Sequence, residues 1–91
     1  MRAGGPAGAL FALDSETVTI GREPSADVFL DDVTVSRNHA VITRGPAGTA
    51  LKDLGSLNGT YVNRRRIEGE EVLEDGDELQ IGKFRLTFLL G

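Results

Sequence analysis

Three short clusters carry most of the donor chemistry in this chain: Gly21-Arg22, Ser36-Arg37-Asn38-His39 and Ser56-Leu57-Asn58-Gly59-Thr60. Arg22 and Arg37 offer planar guanidinium forks, Ser36 and Ser56 hydroxyls, and Asn58 a carboxamide that both donates and accepts. A guanidinium for paired charge-assisted bonds, with neutral donors beside it, suits a phosphoryl group. A phosphothreonine brings roughly −1.5 to −2 charge near neutral pH and several strong acceptor oxygens. Asn58 could then bridge the backbone of an extended peptide. Two or three such bonds of about 1.5–3 kcal/mol each, less the costs of association, lead to an expected micromolar affinity, about −8 kcal/mol. Each residue also has an ordinary reading. A lone arginine is usually a surface residue, a lone serine a turn residue, and Asn-Gly a turn that tolerates positive φ. The functional reading gains weight because all three residues occur in one chain, each in a separate loop.

The elements that must position these loops are short strands. Thr17-Val18-Thr19-Ile20 alternates at period two and stops at Gly21, and Glu23-Pro24-Ser25 continues as a loop. Val28-Phe29-Leu30 reads as a brief buried segment, Ala40 to Thr43 as a strand, Gly45-Pro46-Ala47-Gly48 as a turn, and Ala50 to Leu54 as the returning strand. Thr60-Tyr61-Val62 is β-branched and aromatic, and Asn63-Arg64-Arg65 reads as a hairpin tip. Asp75-Gly76 is a turn dipeptide before the alternating Glu78-Leu79-Gln80-Ile81, and Phe84, Leu86 and Phe88 face one way in the last strand. No window supports a helix of useful length. Strands this short between turns this frequent predict an all-β fold, an antiparallel β-sandwich of about eleven strands once the resemblance below is included. Residues 1–9 read as a flexible N-terminal segment and 10–91 as the folded domain.

Composition excludes several classes. The chain has 91 residues, enough for one modest core, and its twelve glycines favour many turns. The formal charge of −4 argues against generic nucleic-acid binding, since no basic excess exists to displace counterions. Apolar stretches are too short to span a bilayer and the N-terminus is a poor signal peptide, so no membrane partner and a cytoplasmic location are expected. There is no cysteine, and Asp53-x-Gly55-x-Leu57 lacks the alternating oxygens of a calcium loop, so neither metal nor cofactor is expected. Ser36, His39 and Asp32 contain the residue types of a hydrolase triad, but no Gly-x-Ser-x-Gly elbow is present and catalysis is not expected.

The ordered set Gly21-Arg22, Ser36-x-x-His39 and Asn58-Gly59 resembles the signature of the forkhead-associated (FHA) domain. The likeness runs from about Ile20 to Phe88 and includes Asp53-Leu54-Gly55-Ser56 and Gly76-Asp77-x-Leu79-x-Ile81-Gly82. The resemblance implies a sandwich of about eleven strands whose loops at one end grip a phosphothreonine peptide, phosphorylated by a Ser/Thr protein kinase. It implies that Arg22 and Ser36 hold the phosphate and Arg37 adds a contact. Asn58 would bond the peptide main chain, while Gly21, His39 and Gly59 would brace the loops. Asp31 to Ser36 and Gly55 to Asn63 look most like actinobacterial members, among which are small regulators that restrain 2-oxoglutarate-using enzymes. Those regulators fold a phosphorylatable N-terminal tail onto the domain. No threonine precedes Thr17 here, so that self-inhibition is not expected from these residues.

Two departures from the pattern carry expectations. Leu57 stands where many members have a threonine, and Ser56 is expected to supply part of the missing contact to the peptide. Only Met1-Arg2-Ala3-Gly4 precedes Gly5-Pro6-Ala7-Gly8, so the first strand is expected to be missing or cut short. That would leave Phe84 to Leu90 as an open apolar edge and favour a dimer or strand swap through the C-terminal strand, or reduced stability. The competing functional reading is a phospho-independent interaction module that docks the same loops on a folded partner enzyme.

Overall fold

Side chains that alternate across a strand sort the chain into inward and outward residues. A computed structural model describes residues 2–4, 10–12 and 16–89, and among these the alternation yields eleven strands and no helix. They are β1 (Arg2–Gly4), β2 (Leu10–Ala12), β3 (Thr17–Gly21), β4 (Val28–Phe29), β5 (Ala40–Gly45), β6 (Gly48–Asp53), β7 (Thr60–Val62), β8 (Arg65–Arg66), β9 (Glu70–Val72), β10 (Glu78–Ile81) and β11 (Phe84–Leu89). One sheet runs β2-β1-β11-β10-β7-β8 and the other β4-β3-β5-β6-β9. Val18, Ile20, Ile42 and Leu51 from the second sheet and Val62, Leu79, Ile81, Leu86 and Phe88 from the first are buried in one core cluster. Burying each of these side chains fully contributes about 1.5–3 kcal/mol.

The sandwich is antiparallel, as expected, except where β4 runs parallel to β3. Asp27 explains the exception. Its carboxylate accepts from the Thr19 amide at 2.9 Å, and its own amide donates to the Thr19 hydroxyl at 3.0 Å, so the loop after Gly21 is brought back beside β3. In the segment 28–30, Val28 and Leu30 are buried, but Phe29 is 41% exposed. Strand β9 was not anticipated from the sequence. It has no buried side chain to reveal it, and it joins the sheet by backbone pairing with β6.

The first strand, expected to be missing or cut short, is present and short. Residues 2–4 form a short strand in register with the last one, Arg2 opposite Leu89 and Gly4 opposite Thr87. Strand β11 therefore has a neighbour on each side, and the open-edge argument for a dimer or strand swap falls with it. Residues 2–4 likewise leave the flexible segment expected over 1–9; residues 1 and 5–9, with the first Gly-Pro-Ala-Gly turn, lie outside the described residues.

Strand register fixes where the loops meet. Ile20 pairs with Ala40 and Ala40 with Asp53, while Thr60 pairs with Ile81 across the other sheet. The Thr60 hydroxyl donates to Asp53 at 2.7 Å, which joins the two sheets at this end. Loops 22–27, 31–39 and 54–59 and the turn 82–83 consequently emerge from the same end of the sandwich.

Candidate functional site

Gly21 begins the site because nothing larger fits there. A Cβ at this position would lie 1.9 Å from the Arg37 carbonyl oxygen, so the 36–37 backbone is packed directly against the end of β3. The Arg22 amide donates to the Ser36 carbonyl at 3.0 Å, and the Arg22 Nε–H to the Val35 carbonyl, also at 3.0 Å. Holding Nε in this way fixes the guanidinium plane, and its two terminal nitrogens have no partner among the described residues. Arg22 is half-buried, and Arg37 is exposed.

His39 is fully buried and joins three loops. Its Nδ1 accepts from the Ser36 amide at 3.0 Å, so the ring proton sits on Nε2, which donates to the Gly59 carbonyl at 2.9 Å. The His39 amide donates to Ile20 and its carbonyl accepts from Leu54, both at 3.0 Å. Gly59 adopts φ of +85°, the left-handed region that favours glycine, and this turns its carbonyl toward the ring.

The Ser36 hydroxyl accepts from the Leu57 amide at 3.1 Å, so its proton remains available to donate outward. Asn58 donates from Nδ2 to the Thr34 carbonyl at 2.9 Å, and its Oδ1 has no partner among the described residues. Arg22, Ser36 and Asn58 are thus brought together by bonds among the loops that carry them. Arg37 is less closely tied: among the described residues no hydrogen bond or ion pair links its side chain to the other three, and it borders a separate cavity of about 170 Å³ with Glu23 and Asn38.

Ser56 does not fit its expected role as a peptide contact. It is buried, and its hydroxyl donates to Asp53 Oδ1 at 2.5 Å. Leu57, by contrast, is 87% exposed.

Two carboxylates that sequence reasoning did not assign here organise the loops from within. Burial pushes the Asp53 pKa up, but the hydroxyls of Ser56 and Thr60 and the amides of Gly55 and Ser56 together outweigh it, and the net shift is downward. Asp32 accepts from the Thr34 hydroxyl and from its amide, and pairs with Lys83 at 3.0 Å. Those bonds, the Thr34 hydroxyl first, lower its pKa to about 2. The Thr34 hydroxyl also accepts from the Lys83 amide at 2.9 Å, tying the 31–35 loop to the 82–83 turn. The available signal was Asp-x-Thr and Asp-x-Gly-Ser, a carboxylate placed to cap the backbone two or three residues on.

The sequence profile of the FHA domain matches residues 18–82. Over all 91 residues the chain is 56% identical to an oxoglutarate dehydrogenase inhibitor of Corynebacterium diphtheriae, of which it covers 63%. It is 53% identical to the glycogen accumulation regulator GarA of Mycolicibacterium smegmatis, of which it covers 57%. The chain therefore spans less than two thirds of the length of these curated relatives. Among solved structures, Mycobacterium tuberculosis EmbR in complex with a low-affinity phosphopeptide superposes with a TM-score of 0.95 at 33% identity, covering 99% of this chain and 24% of that one.

Proposed function

The chain belongs to the FHA domain family, and from that premise we propose that it binds phosphothreonine-bearing segments of proteins marked by a Ser/Thr protein kinase. Arg22 and Ser36 contact the phosphate, Arg37 adds positive charge from the rim, and Asn58 accepts from a peptide amide. The observation that carries this reading is the convergence of an oriented guanidinium, a hydroxyl with an uncommitted proton and a carboxamide oxygen with no partner among the described residues, on loops locked together by buried His39. Catalysis has no place in it, since both His39 ring nitrogens are already bonded inside the loops. The same reading sets the protein in the cytoplasm, where kinase and marked partner would meet.

A second reading draws on Val33 and Leu57, which are 91% and 87% exposed on the loops around the site. Two exposed aliphatic side chains suit docking on a folded partner enzyme without a phosphate. Screening an oriented phosphothreonine peptide library against the domain separates the readings. Selective capture of phosphorylated peptides, lost when glutamate replaces phosphothreonine, supports the first, because one planar carboxylate does not fill the donor set. Equal capture of both supports the second.

A further inference from the structure

Tyr61 stands on the outer face of the first sheet, opposite Gln80 on one side and Arg66 on the other, and Gln80 is opposite Arg85. Beside this row the face opens into a groove of about 470 Å³ bordered by Asn58, Arg64 and Arg85. The run Arg64-Arg65-Arg66 is one basic patch in the sequence, but its three side chains have different surroundings. Arg64 lies 3.6 Å from Glu78, and Arg65 reaches Glu71 of the second sheet at 2.6 Å. Arg66 has no hydrogen-bond or ion-pair partner among the described residues, and its side chain lies across Gly59.

That contact follows from register. Gly59 comes two residues before Tyr61, so it is the diagonal neighbour of Arg66, within reach of a long side chain. A Cβ on Gly59 would stand 2.9 Å from Arg66 Nε, 3.1 Å from Cζ and 3.4 Å from Cδ. The flat end of Arg66 thus fills the space that a side chain at position 59 would take. Gly59 is buried, although Leu57 and Asn58 just before it are exposed. Inside the loops His39 Nε2 holds the Gly59 carbonyl at 2.9 Å, so the turn is covered from both sides. The hairpin that carries Arg66 is itself fixed. Val62 pairs with Arg65, which leaves Asn63-Arg64 as a two-residue loop with φ of +50° and +68°, the type I′ geometry that suits strand twist. Asn63 anchors it by donating to Asp77 and accepting from the Glu78 amide, both at 3.0 Å.

We propose that Arg66 is a positioning residue for peptide binding: by covering Gly59 it holds the Asn58–Gly59 turn, and with it Asn58 Oδ1, where a peptide amide donates. The proposal rests on the phosphopeptide reading above and assigns Arg66 no contact with the peptide. An arginine can act through packing as well as through charge, and here the packed group is flat and lies on backbone.

The test is isothermal titration of one phosphothreonine peptide against the intact domain and its variants, with each fold checked by amide NMR spectra. Arg66→Ala should weaken binding roughly three- to ten-fold. Arg66→Gln keeps a flat group over Gly59 without the charge and should retain most of the affinity. Arg66→Lys keeps the charge without the flat group and should resemble Arg66→Ala. The loss should persist when salt is raised, since packing is not screened. In an Asn58→Ala background Arg66→Ala should cost nothing further, because its effect passes through Asn58, whereas Arg22→Ala should cost the same with or without Arg66. Full affinity in Arg66→Ala would overturn the proposal. So would affinity kept by Arg66→Lys and lost in Arg66→Gln, or an undiminished effect in the Asn58→Ala background. Each of these outcomes leaves the phosphate site standing. If the unsubstituted domain binds no phosphorylated peptide, the phosphopeptide reading fails and this proposal fails with it.

Discussion

The phosphate loops and the outer-face groove share Asn58 but are built on opposite principles. In the loops nearly every polar atom near the site is spent on another loop: His39 on Ser36 and Gly59, Ser36 on Leu57, Arg22 on Val35, Asn58 on Thr34. Only selected donors and acceptors are left over, and they are fixed in place. In the groove Tyr61, Gln80 and Arg85 stand on sheet backbone between loop and turn residues, Arg64 lies 3.6 Å from Glu78, and Arg85 has no hydrogen-bond or ion-pair partner among the described residues. Preorganised donors suit one demanding group such as a phosphate. A long exposed cation over a rigid sheet contributes little through any one contact, and salt screens it.

The sharpest way to break this contrast is to remove the brace from the loops. His39→Ala deletes a fully buried ring and strands the Ser36 amide and Gly59 carbonyl, so we expect about 2–4 kcal/mol of lost stability. For a domain of this size that lowers Tm by at least about 10 °C, read by calorimetry. Arg22→Ala comes next: it removes charge-assisted bonds to the ligand and should weaken phosphopeptide binding roughly ten- to hundred-fold by isothermal titration. Ser36→Ala should act in the same direction. No substitution of Arg85 or Arg64 should approach that effect.

Acid should loosen the loops before the sandwich core. The Asp32 pKa lies at about 2 in the folded chain against an ordinary value of 3.8, so its contribution is full above 3.8 and is lost as pH falls toward 2. Asp53 is lowered in the same sense. Melting temperature followed across that window should decline, and Asp32→Asn should flatten part of the decline. The smallest expected effect is Leu57→Thr. It places a hydroxyl beside Ser36 on an exposed loop position and should tighten phosphopeptide binding roughly two- to five-fold, measured by fluorescence anisotropy.

The same contrast explains what could be read from the sequence. Gly21-Arg22, Ser36-x-x-His39 and Asn58-Gly59 are local clusters, and clean alternation in 17–20 and 78–81 placed them at strand ends. Local chemistry also hid things. Ser56 and Asn58 look equally available in the string, and only the turn around Asp53 shows that Ser56 points inward while Asn58 keeps a free oxygen. The groove was not legible, because Tyr61, Gln80 and Arg85 become neighbours only through pairing across three strands. Whether strand β1 is missing or only short was not legible for a related reason. Arg-Ala-Gly has no alternating apolar pattern, and its place depends on the backbone of β11.

The most direct measurement compares one library-selected phosphothreonine peptide with its unphosphorylated twin, by amide chemical-shift mapping on the intact domain. The phosphorylated form should shift Arg22, Ser36, Leu57 and Asn58 in a saturable way at micromolar concentrations, and its twin should leave them unmoved. Shifts of the same residues by both peptides, or by neither, would contradict a phosphate-reading site at this end of the sandwich.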